Sequence, residues 1–169
     1  MTTLNIEGIN VRPIKPADDA ELWRIACVAF EEMGAPREGS VYSDPRMASL
    51  PREFLGRADA EYWVVEGEDG LAAGGCGFYP TAGLPEGMAE VVKFYFSPRM
   101  RGRGVGRQLL SFVESRARRA GYRELYIESF PEFAKAVAMY ERHGYSHISH
   151  PLGDSGHPAV TVWMTKRLG

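Results

Sequence analysis

A glycine-rich turn between a strand-like and a helix-like segment constrains this sequence more than any other feature. Residues 89–96 are dense in valine and aromatic side chains, a composition typical of a buried strand. Ser97 and Pro98 end that pattern, and the turn spans residues 101–106. From Val105 onward, apolar residues recur every four positions, as they do on one face of an amphipathic helix. This order of elements predicts an anion-binding site at the N-terminus of the helix.

The composition of the turn favours a pyrophosphate as that anion. Glycine carries no side chain that would keep a ligand away from backbone N–H groups, and the helix dipole is positive at the same point. Arginine adds charge-assisted donors, which makes a pyrophosphate a better fit than a carboxylate. The residues concerned are Arg101, Gly102, Arg103, Gly104, Val105, Gly106 and Arg107. We expect this run to hold a pyrophosphate group.

Two common phosphate-binding motifs do not fit this spacing. A dinucleotide-binding fingerprint that starts at Gly102 needs a glycine at position 107, where the chain has arginine. A P-loop needs Gly-Lys-Ser/Thr at the end of the turn, where the chain has Gly106, Arg107 and Gln108. The predicted anion site therefore belongs to neither class.

Two segments of the sequence resemble the motifs of the GNAT superfamily, the Gcn5-related N-acetyltransferases. The family pattern Gln/Arg-x-x-Gly-x-Gly/Ala is met by Arg101, Gly104 and Gly106, directly after a segment similar to the family's central strand. The family ending Ala-x-x-x-Tyr-Glu-x-x-Gly-Phe is similar to the segment from Ala136 to Tyr145. The specific match covers about residues 88–149, and the outer elements agree in order.

Hydrophobic patterning predicts one α/β domain over residues 1–169, and hydrophobic residues make up 44% of the chain, enough for a core. Predicted strands lie at residues 9–14, 62–66, 72–79, 89–96, 125–127, 145–149 and 160–165. Predicted helices lie at about residues 18–34, 52–57, 105–121 and 131–143. Gly74, Gly75 and Gly77 predict close approach of another backbone. The resemblance implies a mixed, mostly antiparallel central sheet flanked by helices, with a parallel pair around the coenzyme-binding helix.

The same resemblance implies that acetyl-coenzyme A is the co-substrate. Tyr95 and Phe96 would contact the pantetheine arm, which pairs with the central strand in this family, while residues 101–107 would hold the pyrophosphate. Tyr95 and Phe96 could instead be core aromatics, which would leave the backbone role intact. The family often has asparagine seven residues before its tyrosine, and here that position is Phe133.

Glu90 is the candidate general base, because it matches a position where one branch of the family keeps that base. Its neighbours Met88, Ala89 and Val91 are apolar, and desolvation by such neighbours raises the pKa of a carboxyl group. Two alternatives stay open: a rim glutamate paired to an arginine, or an ordered water molecule as the effective base.

Tyr140 is the candidate general acid, since it matches the tyrosine that many family members place near the thioester sulfur. The alternative is a half-buried helix tyrosine without a chemical role. With Glu90 and Tyr140 both retained, the chain is predicted to be an N-acetyltransferase that acts by direct transfer. A coenzyme-binding regulatory module without turnover is the main alternative, and a nucleic-acid-binding structural domain is a third.

The predicted acceptor is the primary amine of a small molecule or amino acid. The loop at residues 35–50 and the segment after it carry Arg37, Arg46, Arg52 and Tyr42, which could hold an acceptor carboxylate. These arginines could equally pair with nearby acidic residues, namely Glu38, Asp44 and Glu53.

The remaining features argue for a cytoplasmic enzyme without nucleic-acid or membrane partners, and a homodimer stays open. The formal net charge is −2, and neither a signal peptide nor an apolar run of spanning length is visible. Cys27 and Cys76 are expected to be free thiols. The cluster of His143, His147, His150 and His157 lacks an acidic or cysteine ligand that would convincingly complete a metal site, so none is expected. His157 lies on a predicted hairpin loop and could touch the acceptor.

Overall fold

An eight-stranded sheet organises residues 3–169, the part of the chain that the computed structural model describes. The strands are β1 (Leu4–Ile6), β2 (Ile9–Pro13), β3 (Glu61–Glu66), β4 (Ala72–Tyr79), β5 (Met88–Phe96), β6 (Glu124–Ser129), β7 (Ser146–Ile148) and β8 (Val162–Arg167). The helices are α1 (Asp19–Met33), α2 (Leu50–Phe54), α3 (Val105–Arg119) and α4 (Ala134–Arg142). None of these helices is both long enough and apolar enough to cross a membrane.

The strands follow the order β1-β2-β3-β4-β5-β6-β8-β7 across the sheet. Neighbours are antiparallel except β5 and β6, which are parallel. A parallel pair needs a crossover connection, and α3 is that connection. The predicted fold class, a mixed and mostly antiparallel sheet with one parallel pair around a helix, is confirmed.

The pairing of β5 with β6 is short. Met88, Ala89 and Glu90 pair with Glu124, Leu125 and Tyr126, and no later pairing joins these two strands within the described residues. Beyond Glu90 the two strands separate, so a cleft opens between them. The divergence leaves one backbone edge of β5 without a strand partner, and the cleft forms along that edge.

Helices cover both faces of the sheet. Val105, Leu109 and Val113 of α3 pack on one face in a core that also contains Tyr140 of α4. Side chains of α1 and α2 pack on the other face with residues of β3 and β5; they include Leu22, Ala26, Leu50, Phe54, Tyr62, Val64 and Val92. The sheet is therefore buried on both sides near β4 and β5, as the continuous apolar runs of those strands predict.

The glycines of β4 lie against neighbouring backbones, as predicted. A Cβ atom on Gly74 would lie 2.6 Å from the carbonyl oxygen of Tyr95, and one on Gly75 would lie 2.7 Å from that of Trp63. Neither distance is compatible with a side chain. Strand β4 therefore needs glycine at these positions.

Element boundaries differ from the sequence-based prediction in several places, most of them by one or two residues. The strand predicted at residues 9–14 is β2, preceded by the three-residue strand Leu4–Ile6, which is too short to show alternation. The short helix is Leu50–Phe54 rather than residues 52–57, and α4 begins at Ala134 rather than near Pro131. The last shift arises because residues 131–132 form a turn, in which Phe133 N–H donates to the carbonyl of Phe130.

Candidate active site

A β-bulge in β5 shapes the site. Gly75 of β4 stands opposite Tyr95, and Gly77 stands opposite Val92, so Lys93 and Phe94 together oppose one residue, Cys76. Lys93 has a φ of 53°, in the left-handed region. The bulge breaks the alternation of side chains, and the Lys93 side chain lines the same two clefts as Glu90.

Glu90 is the last residue of β5 that pairs with β6, and only 6% of its surface is exposed. The Thr81 hydroxyl donates a 2.8 Å hydrogen bond to Glu90 Oε1. Burial, reinforced by the negative charge of Glu128, raises the pKa of Glu90 to about 7. No arginine lies within 4.0 Å of this carboxylate in the described chain, so Glu90 is not the arginine-paired rim residue of the alternative.

A buried polar cluster lies next to Glu90. His157 Nε2 is 2.6 Å from Asp44 Oδ2, and His157 Nδ1 is 4.0 Å from Glu128 Oε1. Glu128 accepts hydrogen bonds from Ser155 Oγ at 2.5 Å and from the Tyr126 hydroxyl at 2.7 Å. These groups come from the loop before α2, from β6 and from the loop before β8.

Burial and the neighbouring charges set the protonation of this cluster. Burial opposes ionisation of Asp44, but the hydrogen bonds from Arg46 and His157 outweigh it and hold the Asp44 pKa well below its usual range. Burial, followed by the charge of Lys93, lowers the pKa of His157. Because Asp44 is therefore ionised and accepts, the Nε2 atom of a neutral His157 carries the proton.

Tyr140 projects from α4 into the cleft between β5 and β6. Its ring packs 6.0 Å from the rings of both Phe94 and Tyr145, and only 5% of the residue is exposed. Burial raises the pKa of Tyr140, so its hydroxyl is protonated near neutral pH. Among residues 3–169 this hydroxyl has no hydrogen-bond partner, which leaves it free to donate to a ligand in the cleft.

The glycine-rich turn leads from β5 into α3. Gly104 is the N-cap of α3 with a φ of 74°, and no side chain caps the helix there. Gly102, Arg103 and Arg107 are exposed, and neither arginine has a carboxylate within 4.0 Å in the described part of the chain. The first N–H groups of α3 and two guanidinium groups are therefore available to an anion.

Arg101 differs from its neighbours in the turn. Its Nε donates a 3.0 Å hydrogen bond to the carbonyl oxygen of Phe96, and its Nη1 lies 2.5 Å from Glu32 Oε2. Arg101 therefore ties the turn to β5 and to α1. Val105 is fully buried under the turn, and Gly106 lies against Phe94 and Phe96.

Tyr95 and Phe96 face opposite sides of β5. Tyr95 lines the cleft and packs 5.9 Å from the ring of Phe30. Phe96 packs with Phe94 on the side of α3 and does not line the cleft. Of the two aromatic residues predicted to contact the coenzyme arm, the structure thus brings the Tyr95 side chain to the cleft. Phe133, at the position where the family often has asparagine, also lines it.

The cysteines and the remaining histidines lie away from the cleft. Both cysteines are free, and burial raises the pKa of Cys76 far above its ordinary value, which disfavours its thiolate. His143 bonds Ser111 and Glu114, while His147 bonds Glu141. His143 and His147 therefore bond to different residues, and neither lines the cleft.

The three arginines predicted to hold an acceptor carboxylate differ in their surroundings. Arg46 pairs with Asp44 at 2.8 Å and also donates to the carbonyl oxygen of Ser155. Arg37 lies 5.1 Å from the ring centroid of Tyr42. Arg52 is exposed and lines neither cleft. Only Arg46 lies at the site.

A second cleft lies on the side of α2 and meets the first one. It is lined by Arg46, Leu50, Glu53, Phe54, Tyr79, Thr81 and Ser155, and it shares Glu90, Val92, Lys93 and His157 with the first cleft. Sequence reasoning did not select Lys93, Glu128 or Asp44 as site residues. A charged residue inside an otherwise apolar strand was the available signal for Lys93 and Glu128.

Known proteins match this chain over most of its length. The acetyltransferase (GNAT) family model matches residues 21–145. The uncharacterized N-acetyltransferase YjgM of Escherichia coli (strain K12) is 31% identical over 167 residues, which cover 94% of this chain and 99% of the relative.

Solved structures show the same fold. An acetyltransferase of the GNAT family from Staphylococcus aureus Mu50 has a TM-score of 0.76 and 17% identity, with 95% of this chain and 99% of that chain covered. A GNAT superfamily phosphinothricin acetyltransferase from Sinorhizobium meliloti, in complex with AcCoA, has a TM-score of 0.74 and 21% identity, with 95% and 89% covered. The prediction of a GNAT-type acetyltransferase is confirmed: this chain belongs to the acetyltransferase (GNAT) family.

Proposed function

We propose that this chain moves the acetyl group of acetyl-coenzyme A directly to the primary amine of a small molecule or amino acid. One observation carries the proposal: a carboxyl group with a raised pKa, Glu90, and an uncommitted hydroxyl, that of Tyr140, line the same cleft. A transfer to an amine needs a proton acceptor and a proton donor at one place. We also propose that residues 1–169 act as one domain, because one sheet positions both groups and the turn.

Residues of the turn and of β5 suit the coenzyme. The exposed N–H groups at the N-terminus of α3, with Arg103 and Arg107, would hold its pyrophosphate, and Arg101 would keep the turn in place. On the side of β6, the edge of β5 beyond Glu90 pairs with no strand of the described residues, and it would accept the amide groups of the pantetheine arm beside Tyr95. The coenzyme would supply the thioester.

Two proton transfers accompany the proposed reaction. The amine nitrogen bonds to the acetyl carbon as the carbon–sulfur bond breaks. An alkylamine has a pKa of about 10.4 and must lose a proton before it attacks, and Glu90 would accept that proton. The Tyr140 hydroxyl would donate its proton to the departing sulfur. After attack the nitrogen gives up a second proton, which would restore the Tyr140 hydroxyl, and Glu90 would release the first proton to solvent. The products are then an N-acetyl amine and the free thiol, with protons and charge in balance.

Release of free thiol from acetyl-coenzyme A, measured across a panel of amines and amino acids, tests this function. We expect acceptor-dependent thiol release with an N-acetyl product in equal amount. Coenzyme binding without thiol release for any acceptor would instead identify a regulatory module. Strongly salt-dependent nucleic-acid binding without affinity for the coenzyme would identify a nucleic-acid-binding domain.

A further inference from the structure

The ammonium group of Lys93 has no hydrogen-bond partner among the described residues. About 10% of its side chain is exposed, and it reaches both clefts. Across residues 3–169, the one carboxylate oxygen within 4.0 Å is Asp44 Oδ2, at 4.0 Å, which is too long for a hydrogen bond. An ammonium carries three donors, and those of Lys93 open onto the clefts. A ligand in the cleft is therefore the natural acceptor for Lys93.

The carboxylates around Lys93 are engaged with other groups. Asp44 accepts from the backbone N–H, Nε and Nη2 of Arg46 and lies 2.6 Å from His157 Nε2. Glu128 accepts from Ser155 and Tyr126, as described above. Because the oxygens of Asp44 and Glu128 accept from these donors, they leave the N–H groups of the Lys93 ammonium without a hydrogen bond.

The second cleft has the lining of a small amphipathic site. Leu50, Phe54 and Val92 form an apolar wall, and the volume including the open mouth is about 390 Å³. Lys93 and Arg46 bring positive charge to it, and Arg46 Nη1 has no hydrogen-bond partner in the part of the chain that the structure describes. An anionic group with a compact apolar body would match both parts of this lining.

Glu90 and Lys93 reach this cleft together because the bulge turns the Lys93 side chain to the side of the strand on which Glu90 lies. In an α-amino acid, the amine and the carboxylate are attached to one carbon atom. An amine directed at Glu90 would therefore place its carboxylate close by, toward Lys93.

Resting on the acetyltransferase function proposed above, we propose that Lys93, aided by Arg46, binds the carboxylate of the acceptor. The acceptor class is then an α-amino acid with a compact apolar side chain, whose amine faces Glu90 and whose side chain packs on the wall formed by Leu50, Phe54 and Val92. The arginine-only carboxylate site expected from the sequence is replaced by a site centred on a lysine of β5.

The charge at the site permits a carboxylate. The Asp44 charge is offset by Arg46, and the pKa of His157 is lowered by burial and by Lys93. Burial raises the pKa values of Glu90 and Glu128, which disfavours a full negative charge on both. Burial lowers the pKa of Lys93, and the neighbouring carboxylates Glu90 and Asp44 oppose that shift. A ligand carboxylate beside Lys93 would oppose the shift in the same way and so favour the ammonium form.

Matched acceptors test the proposal. Leucine, methionine and phenylalanine are each compared with their decarboxylated amines, and cadaverine serves as a diamine. We expect kcat/KM to favour each amino acid over its amine. In Lys93→Met that preference should fall by about 10- to 100-fold, mainly through the KM of the amino acid, since a hydrogen bond to a charged group is lost. Lys93→Arg should keep part of the preference.

Lys166→Met is the matched control, because Lys166 binds Glu114 at 3.0 Å outside both clefts, and this variant should keep the preference. Equilibrium binding of leucine to the wild-type complex with coenzyme A, and to the Lys93→Met complex, measures the anchor without turnover. Leucine should bind the wild type at least 10-fold more tightly.

The outcomes separate this proposal from the function on which it rests. A wild-type enzyme that acetylates decarboxylated amines or cadaverine as well as amino acids overturns the anchor and leaves the acetyltransferase intact. An unchanged preference in Lys93→Met, or equal leucine binding by both proteins, also overturns it. Absence of thiol release with every acceptor contradicts the proposed function, and the binding measurement then still decides whether Lys93 holds a carboxylate.

Discussion

The hydroxyl group of Tyr62 donates a 2.6 Å hydrogen bond to the backbone carbonyl oxygen of Lys93. Tyr62 belongs to β3 and Lys93 to β5, so the bond spans the intervening strand β4. The tyrosine reaches across because β4 has glycines beneath its ring. A Cβ atom on Gly75 would lie 2.8 Å from the Tyr62 hydroxyl oxygen, and one on Gly77 would lie 2.8 Å from its Cδ2. The glycines of β4 therefore allow a buried tyrosine to hold the bulge on which the site depends.

Tyr62→Phe should destabilise the fold and impair the site together. Loss of the hydroxyl leaves the buried Lys93 carbonyl without this donor, at a cost of about 1–3 kcal/mol in the free energy of unfolding. The bulge should loosen, so kcat/KM should fall and amide hydrogen exchange at residues 93–94 should accelerate. Urea unfolding, steady-state kinetics and hydrogen exchange measure these effects.

Tyr122→Phe is the matched control for that variant, because the Tyr122 hydroxyl donates a 2.8 Å hydrogen bond to a backbone carbonyl, that of Asp59, at an exposed position. It should cost less stability and leave exchange at residues 93–94 unchanged. Wild-type exchange and kinetics in Tyr62→Phe would show that the bulge holds without this bond.

The activity of the wild type should rise with pH through a midpoint near 7. Glu90 acts as a base only when ionised, and its pKa is raised to about 7, so activity is lost as the pH falls below that value. Glu90→Gln should lower kcat/KM by about 10²- to 10⁴-fold and abolish the inflection. Glu53→Gln, at the rim of the second cleft, should keep the inflection. An inflection that survives in Glu90→Gln would assign it to another group and favour ordered water as the base.

The raised pKa of Glu90 also predicts a gain in stability for Glu90→Gln at high pH. Between the ordinary pKa of 4.5 and the folded value of about 7, the folded state binds more protons than the unfolded state. The free energy of unfolding therefore falls as the pH rises through this window. Glu90→Gln removes this loss, so the variant should be more stable than the wild type by about 1–3 kcal/mol at pH 8. The stability difference between the two proteins should be smaller at pH 5. Thermal unfolding at both pH values checks the sign, and an equal difference at pH 5 and pH 8 would contradict it.

Tyr140→Phe should lower kcat by about 10- to 10⁴-fold with little change in coenzyme affinity, because only proton donation to the sulfur is lost. Steady-state kinetics and equilibrium coenzyme binding separate the two effects. Tyr145→Phe is the matched control: Tyr145 is also a buried residue, but its hydroxyl donates to Glu114 at 2.8 Å, outside the cleft. That variant should lose stability and keep kcat. Full turnover by Tyr140→Phe would return Tyr140 to a packing role.

Gly104→Val should weaken coenzyme binding by at least about 10-fold while the domain stays folded. A Cβ atom on Gly104 would meet no protein atom within 4 Å, so the branched side chain would fill the space over the N-terminus of α3. The φ of 74° adds strain of about 1–2 kcal/mol. Gly56→Val controls for this strain, because Gly56 has a φ of 76°, equally open surroundings and a position outside both clefts. Calorimetric titration with coenzyme A should show a loss in the first variant alone, and equal affinities would remove the turn from the binding site.

Local pattern in the sequence was enough to predict most elements and the anion-binding turn. The glycine-rich turn is recognisable because strand composition, glycine spacing and helical periodicity are all short-range properties. Helix ends were predictable for the same reason: Gly34 ends α1 in the left-handed conformation, with a φ of 68°. The glycines of β4 likewise predicted close approach of another backbone, without indicating which strand it belongs to.

Only the tertiary structure decided the chemistry at the centre of the site. Strict alternation along β5 would place Lys93 on the face of Ala89 and Val91, and a register shift against β4 turns it toward Glu90 instead. Asp44 and His157 meet at 2.6 Å from loops 113 residues apart. The pKa of Glu90 depends on burial and on Glu128 of a neighbouring strand. Sequence periodicity records how a segment buries one face, whereas bulges, contacts between distant segments and desolvation arise only when the segments pack together.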